Sequence, residues 1–274
     1  MKVFYKIGDE TLVNELEGEV AHGENVTLLL RDSNLIEKTE WADMGYSVQP
    51  FMSSEDFKKI QLGLKEMIRQ QLLDIGVELN DMFELWNYHH YVTDEQHLQL
   101  AKEIQFGWNV CRFPIEFEKV NTRMSKILGL DVWTKAWNSD FDNFFLRIVR
   151  PGKIKDNNPP HRDVWIDRLR NAVNIYGPIC GSDSRSSLPL MPGSHLISES
   201  DIERTADGAF LNGTKYTVPC VTSVNGKMLE LIRPNPMENE LLIFSPYMVH
   251  GGGYNLNQDA TRVSLEIRFF LKTN

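Results

Sequence analysis

From Phe144 onward the chain is broken into short runs of β-branched and aromatic residues, with Gly, Pro, Asn and Asp between them. Residues 145–149, 164–166, 172–175, 215–218, 228–231, 241–244 and 262–271 each have the length and residue types of a strand. Many short strands separated by turn chemistry read as a β-sandwich or barrel. The stretch before them reads differently. Ser53-Ser54-Glu55-Asp56 is a helix N-cap signal. Phe57, Ile60, Leu64, Met67, Ile68, Leu72 and Ile75 then recur at helical spacing, which predicts a helix reaching about residue 79. Thr93-Asp94-Glu95-Gln96 is a capping box that opens a helix through Ile104. Pro114 stands near the start of a third helix, and Gly129 is its stop after Leu128.

Residues 1–50 are mixed, with strands expected over 3–7 and 26–30 and no catalytic pattern. The expected organisation is one domain. It comprises an N-terminal extension (1–44), mostly helical support (45–139) and a β core (140–274), with no linker-like run between them. The fold class is mainly β with flanking helices, a jelly roll with an N-terminal helical layer.

With 274 residues, 42% of them hydrophobic, a sizeable core is expected. A net charge of −9 and the lack of a Lys/Arg block argue against binding a nucleic-acid backbone. Cys111, Cys180 and Cys220 are far apart, odd in number and form no CxxC, so neither a zinc knuckle nor a disulfide framework is indicated. No apolar run approaches the roughly 20 residues that cross a bilayer, and the N-terminus lacks the apolar stretch of a signal peptide. A cytoplasmic protein with no membrane partner is the expectation.

The chemistry-bearing stretch is Pro159-Pro160-His161-Arg162-Asp163-Val164-Trp165. On a strand, His161 and Asp163 point to the same side, which supplies two members of a 2-His-1-carboxylate set for non-haem iron(II). His250 closes the apolar run 241–250 and precedes Gly251-Gly252-Gly253, so it can reach a barrel interior where backbone or ligand comes close. The alternative is a core histidine satisfied by a carbonyl. Arg262 follows twelve residues later. Alternation puts Arg262, Ser264, Glu266 and Arg268 on one face and Val263, Leu265, Ile267 and Phe269 on the other. An inward arginine needs a carboxylate, which its rigid fork captures bidentately, and Ser264 can donate to the same group. An outward Arg262 would instead pair with Glu266 or Asp259. The adjacent His89 and His90 would face opposite sides of a strand, which suits packing or capping a substrate and not chelation. Arg147, Arg150, Arg168, Arg170 and Arg185 gather near the site in sequence, either as surface ion pairs or as a cationic pocket for an anionic small molecule.

His161-x-Asp163, then Leu190-Met191-Pro192-Gly193-Ser194-His195, then His250 and Arg262-x-Ser264 form an ordered set. The set resembles the iron(II)/2-oxoglutarate-dependent oxygenases, in particular their phytanoyl-CoA dioxygenase-like branch. So does Gly45-Tyr46 leading into a helix. The resemblance covers roughly residues 45–272. It implies a double-stranded β-helix, cupin-like, holding Fe(2+) through His161, Asp163 and His250. It also implies 2-oxoglutarate as cosubstrate, anchored by Arg262 with Ser264, and O2 as oxidant. His195 falls in the family's Pro-Gly-Ser-His turn and is read as structural. For the cosubstrate's other carboxylate the candidates are Asn174, Arg147 and Tyr176, with Asn174 assigned to the cosubstrate. Trp165, Arg147 and Arg185 are assigned to the substrate, a small polar metabolite. Asp163 argues for hydroxylation, desaturation or ring closure, because related halogenases carry a small residue there. The competing readings are a cupin-like metal-dependent isomerase and a catalytically silent binding barrel.

Overall fold

The structure is a computed structural model that describes residues 1–29, 34–107, 113–135, 142 and 144–272. Cys111 and the expected boundary at residue 140 lie outside them. In chain order the strands are β1 (Lys2–Ile7), β2 (Glu10–Glu17), β3 (Val20–His22), β4 (Tyr46–Pro50), β5 (Val132–Trp133), β6 (Phe145–Val149) and β7 (Ala172–Cys180). There follow β8 (Ile202–Thr205), β9 (Ala209–Leu211), β10 (Thr214–Tyr216), β11 (Val221–Val224), β12 (Lys227–Leu231), β13 (Glu240–Phe244) and β14 (Arg262–Leu271). The helices are α1 (Ser54–Asp74), α2 (Asp94–Gly107) and α3 (Phe117–Leu128). The result is a mainly β fold of jelly-roll type with two large sheets. One has the order β10-β9-β2-β1-β12-β11-β8-β3, and the other β4-β13-β7-β14-β5 with β6 against β14.

Alternation along β7, β13 and β14 decides where the site can be. Val173, Ile175 and Ile179, Leu241 and Ile243, and Val263, Leu265, Ile267 and Phe269 join one hydrophobic cluster with Phe57, Ile60, Leu64 and Ile68 of α1 and Val120 and Met124 of α3. The intervening residues, among them Asn174, Tyr176, Phe244, Arg262, Glu266 and Arg268, line a cavity on the opposite face. Strands covered on both sides explain why β7 is buried almost throughout.

Apart from α2 running on past Ile104 to Gly107, caps and stops follow the sequence with one exception. Ser53 accepts from the Asp56 backbone N–H at 3.1 Å. Thr93 and Gln96 close a reciprocal capping box. Gly129 ends α3 in the left-handed region. The exception is α1, which ends near residue 75 and not 79. Gly76 adopts φ +79°, and the Gly76 and Val77 N–H groups donate back to Leu73 and Leu72. This Schellman geometry stops the helix before the apolar spacing does.

Three further expectations are corrected. Residues 26–29 form no strand. The first 44 residues are no appendage, because β1 lies inside the large sheet between β2 and β12. Residues 163–165 form a 3-10 turn and not a strand. The Asp163 N–H donates to Pro246 O at 3.1 Å and Ile166 N–H to Asp163 O at 2.9 Å, so the backbone turns where alternation expected it to run on.

A buried ion cluster anchors the segment leading to the site. Asp156 accepts from the Arg150 backbone N–H at 3.0 Å, from its Nε and Nη2 at 2.9 Å each, and contacts His97 Nε2 at 3.3 Å. Burial pushes the Asp156 carboxyl up, but Arg150 and His97 outweigh it and hold it at about 2, below the ordinary 3.8. Asp156→Asn should leave buried Arg150 with only the exposed Asp94 as its counter-charge and cost about 3 kcal/mol in urea unfolding at neutral pH. Because the folded value is depressed, the ionic part of this stability is full above pH 3.8 and disappears as pH falls toward 2. The gap between wild type and variant should therefore narrow over that window, and a gap independent of pH there would refute this role.

Candidate metal centre

His161, Asp163 and His250 come together although no strand carries them. His161 and His250 exchange both backbone hydrogen bonds, at 2.8 and 3.0 Å, in an isolated antiparallel bridge. His250 thus stands in the loop after β13, not at the end of a strand. Gly251 makes this approach possible. Its φ is +98°, and a Cβ there would fall 2.8 Å from Pro159 O and 3.1 Å from the His161 ring. The bridge is tied to both sheets, since Val221 N–H of β11 donates to Pro160 O while Asp163 N–H reaches the residue after β13's Ser245 turn, Pro246.

Among the described residues, one ligand atom from each of the three lies within 4.8 Å of the others, and all three residues are buried. His161 Nδ1 contacts Pro159 O at 2.7 Å and His250 Nδ1 contacts Met248 O at 3.0 Å. A carbonyl only accepts, so each Nδ1 carries the proton and each Nε2 lone pair is free. Both Nε2 atoms face one oxygen, Asp163 Oδ1, at 3.2 and 3.8 Å. Burial lowers the His250 imidazole to about 4, which keeps it neutral at pH 7. Three acceptors converging with no donor between them repel one another until a cation sits among them. The donor set therefore fits a divalent metal, with His161 Nε2, His250 Nε2 and Asp163 Oδ1 as ligands and both imidazoles oriented by carbonyls behind them.

The other carboxylate oxygen is already occupied. Asp163 Oδ2 accepts from Asn174 Nδ2 at 2.8 Å and from Arg268 Nη2 and Nε at 2.9 and 3.2 Å. Burial pushes this carboxyl up, but the Arg268 guanidinium outweighs it and holds it well below the ordinary range. Asn174 was expected at the cosubstrate. It lines the cavity, with its Nδ2 donating to the carboxylate and its Oδ1 buried without a partner. Asn174→Ala should weaken metal binding about 10- to 100-fold, the usual cost of removing a group that orients a ligand. Metal titration of the apoprotein measures it, and unchanged affinity would count against that placement.

Arg262 points inward and is buried at 1% exposure. It donates to Ser186 O and, at 3.2 Å, to Asn157 Oδ1, and its guanidinium lies over the Tyr176 ring. Among the described residues no carboxylate makes an ion pair with it. Arg262 Nε, Ser264 Oγ, Asn157 Nδ2 and Ser187 Oγ are all buried without a partner. Burial lowers the Arg262 guanidinium from its ordinary value.

Arg147 lines the cavity paired with Glu266. Trp165 and Arg185, the other expected substrate residues, do not line it. The Trp165 indole donates to Glu199 at 2.9 Å beneath Arg204, and Arg185 is exposed with a bond to Leu256 O. Proximity in sequence misled here, because the 3-10 turn after Asp163 rotates Trp165 out of register. His195 Nε2 donates to Ala42 O at 2.8 Å, away from the three ligands. His89 Nδ1 meets Thr261 Oγ1 at 2.9 Å, and His89 and His90 sit in a 3-10 turn. Arg268 and Glu266 were missed as cavity residues, although the period-two face of β14 already carried them beside Arg262.

No family model matches the chain, and no curated protein matches it. Solved structures do. AviO1 from Streptomyces viridochromogenes Tue57 is 16% identical over 89% of this chain and 96% of that one, with a TM-score of 0.44. SnoK, described as a non-heme alpha-ketoglutarate-dependent carbocyclase from nogalamycin biosynthesis, is 12% identical over 91% and 87%, with a TM-score of 0.44. EctD from S. alaskensis, solved with 2-oxoglutarate and 5-hydroxyectoine, is 11% identical over 93% and 84%, with a TM-score of 0.46.

Proposed function

We propose that this protein is an iron(II)- and 2-oxoglutarate-dependent dioxygenase, built on a double-stranded β-helix with a helical layer. In this reading it hydroxylates, desaturates or cyclises a small polar metabolite and releases succinate and CO2. The observation that carries the reading is the convergence of His161 Nε2, His250 Nε2 and Asp163 Oδ1, three acceptors aimed at one point with their tautomers set by Pro159 O and Met248 O. Two imidazoles and one monodentate carboxylate would hold a bound iron and leave room for further ligands. With Oδ2 held by Asn174 and Arg268, Asp163 offers a single oxygen and leaves that room free. Once bound, iron with cosubstrate and O2 supplies the oxidant for an unactivated C–H bond.

The chain's own part is binding and exclusion of water. Arg262 is a buried cation facing the cavity with no ion-pair partner among the described residues, an arrangement that costs desolvation unless a ligand carboxylate completes it. Arg262 Nε, Ser264 Oγ and Asn157 Nδ2 supply unspent donors beside it. Arg262 and Asn157 line the same cavity as His161, Asp163 and His250. Anaerobic titration of the apoprotein with ferrous iron and then 2-oxoglutarate tests the reading through the absorption band of the iron–keto-acid chelate. A band that appears only with both components, and succinate release once air is admitted, are expected. Metal binding with no band would favour the isomerase or silent-barrel alternative and end this one.

A further inference from the structure

We propose that the substrate is a small zwitterion, in the simplest case a free α-amino acid, held across the Arg147–Glu266 pair. This deepens the oxygenase reading and rests on it. The argument is one of charge. Apart from the imidazoles, the ionised side chains lining the cavity are Asp163, Arg147, Arg262, Glu266 and Arg268. Asp163 and Arg268 match one another. Among the described residues Arg262 makes no ion pair with a carboxylate, and in the oxygenase reading it holds the cosubstrate. Arg147 and Glu266 remain, a pair with no net charge and a strong dipole.

Their geometry suits exchange of partners. Arg147 Nε and Nη2 reach the two Glu266 oxygens at 3.2 and 3.3 Å, longer than the 2.7–2.9 Å of a strong charge-assisted pair. Their side chains are 35% and 22% exposed, so parting them costs less desolvation than opening a sealed pair. Glu266 lies between Arg262 and Arg268 on the inward face of β14, and Arg147 stands on β6 opposite Ser264. The pair is thus flanked by the cosubstrate arginine and by the arginine on the metal carboxylate. A lone anion there gains Arg147 and is repelled by Glu266, and a lone cation meets the reverse. A molecule carrying both charges turns one stretched ion pair into two, with its carboxylate on the Arg147 fork and its ammonium on Glu266. Leu188 and Phe244 give the cavity an apolar wall for the carbon skeleton. Mismatched charge is rejected by the partner it leaves unpaired.

The test uses the full chain loaded with iron and 2-oxoglutarate. Succinate release is measured with a panel of free amino acids, the same amino acids N-acetylated, and their carboxamides, which leave both charges, the anion alone and the cation alone. Stimulation by one or more free amino acids, falling about tenfold or more in the two derivatives, is expected, since tenfold is the effect of about 1.4 kcal/mol. Glu266→Gln and Arg147→Gln should each raise the KM for that amino acid by a similar factor and leave the KM for 2-oxoglutarate within about twofold. A pair that merely holds β6 to β14 would lower the melting temperature without this split. Equal stimulation by either derivative, no stimulation by any panel member, or variants with an unchanged amino-acid KM overturns the proposal. If the anaerobic iron–keto-acid band forms in the same preparation, only the zwitterion is overturned. If the band is absent, the oxygenase reading falls and the zwitterion with it.

Discussion

Asp163→Ala should remove the metal from the protein and abolish 2-oxoglutarate-dependent turnover. Asp163 is the only carboxylate among the described residues that groups with His161 and His250. Losing a ligand itself should exceed the 10- to 100-fold loss typical of groups behind the ligands. Effects on the fold should be much smaller. In the apoprotein the two imidazole lone pairs repel Asp163 Oδ1 while Arg268 attracts Oδ2, so removing the carboxylate relieves one contact and breaks the other. Arg268 is partly exposed and can turn toward water once its partner is gone. The expected result is a folded variant whose melting temperature no longer responds to ferrous iron, whereas wild type is stabilised by mass action of the bound metal. Retention of both metal and succinate release in Asp163→Ala would remove this residue from the centre.

Much of this site was legible because β14 is a regular strand. Strict alternation over ten residues separates the helix-packed Val263, Leu265, Ile267 and Phe269 from the inward Arg262, Ser264, Glu266 and Arg268. The sequence pattern therefore announced the charged wall before any contact was known. His161 and Asp163 were found for a reason that only half holds. They do lie side by side, but through an isolated bridge and a 3-10 turn and not through a strand. Such local geometry depends on Pro246 O and His250, more than eighty residues away along the chain, which no window on residues 159–165 contains. The same turn explains the misplacement of Trp165. The bonds to Asp163 from Arg268 and the pairing of β1 with β12 are likewise long-range, and periodicity along one segment cannot reveal its partner.

Arg262→Met should separate binding from folding. If this guanidinium anchors a carboxylate of 2-oxoglutarate, its removal costs a charge-assisted hydrogen-bonded pair of about 1.5–3 kcal/mol. That corresponds to a roughly 10- to 100-fold weaker cosubstrate titration. Stability should move the other way or stay level. In the free protein Arg262 has only the neutral acceptors Ser186 O and Asn157 Oδ1, and its Nε has none. A buried charge without a counter-charge opposes folding, so an apolar side chain of similar length relieves desolvation and offsets the hydrogen bonds it loses. A cation kept at this cost in the core is explained by a ligand that completes it. The expected pair of results is a raised dissociation constant for 2-oxoglutarate and a melting temperature in the absence of ligand that is unchanged or higher. A lower melting temperature with an unchanged cosubstrate titration would make Arg262 a structural residue that ties β14 to the loop at Ser186.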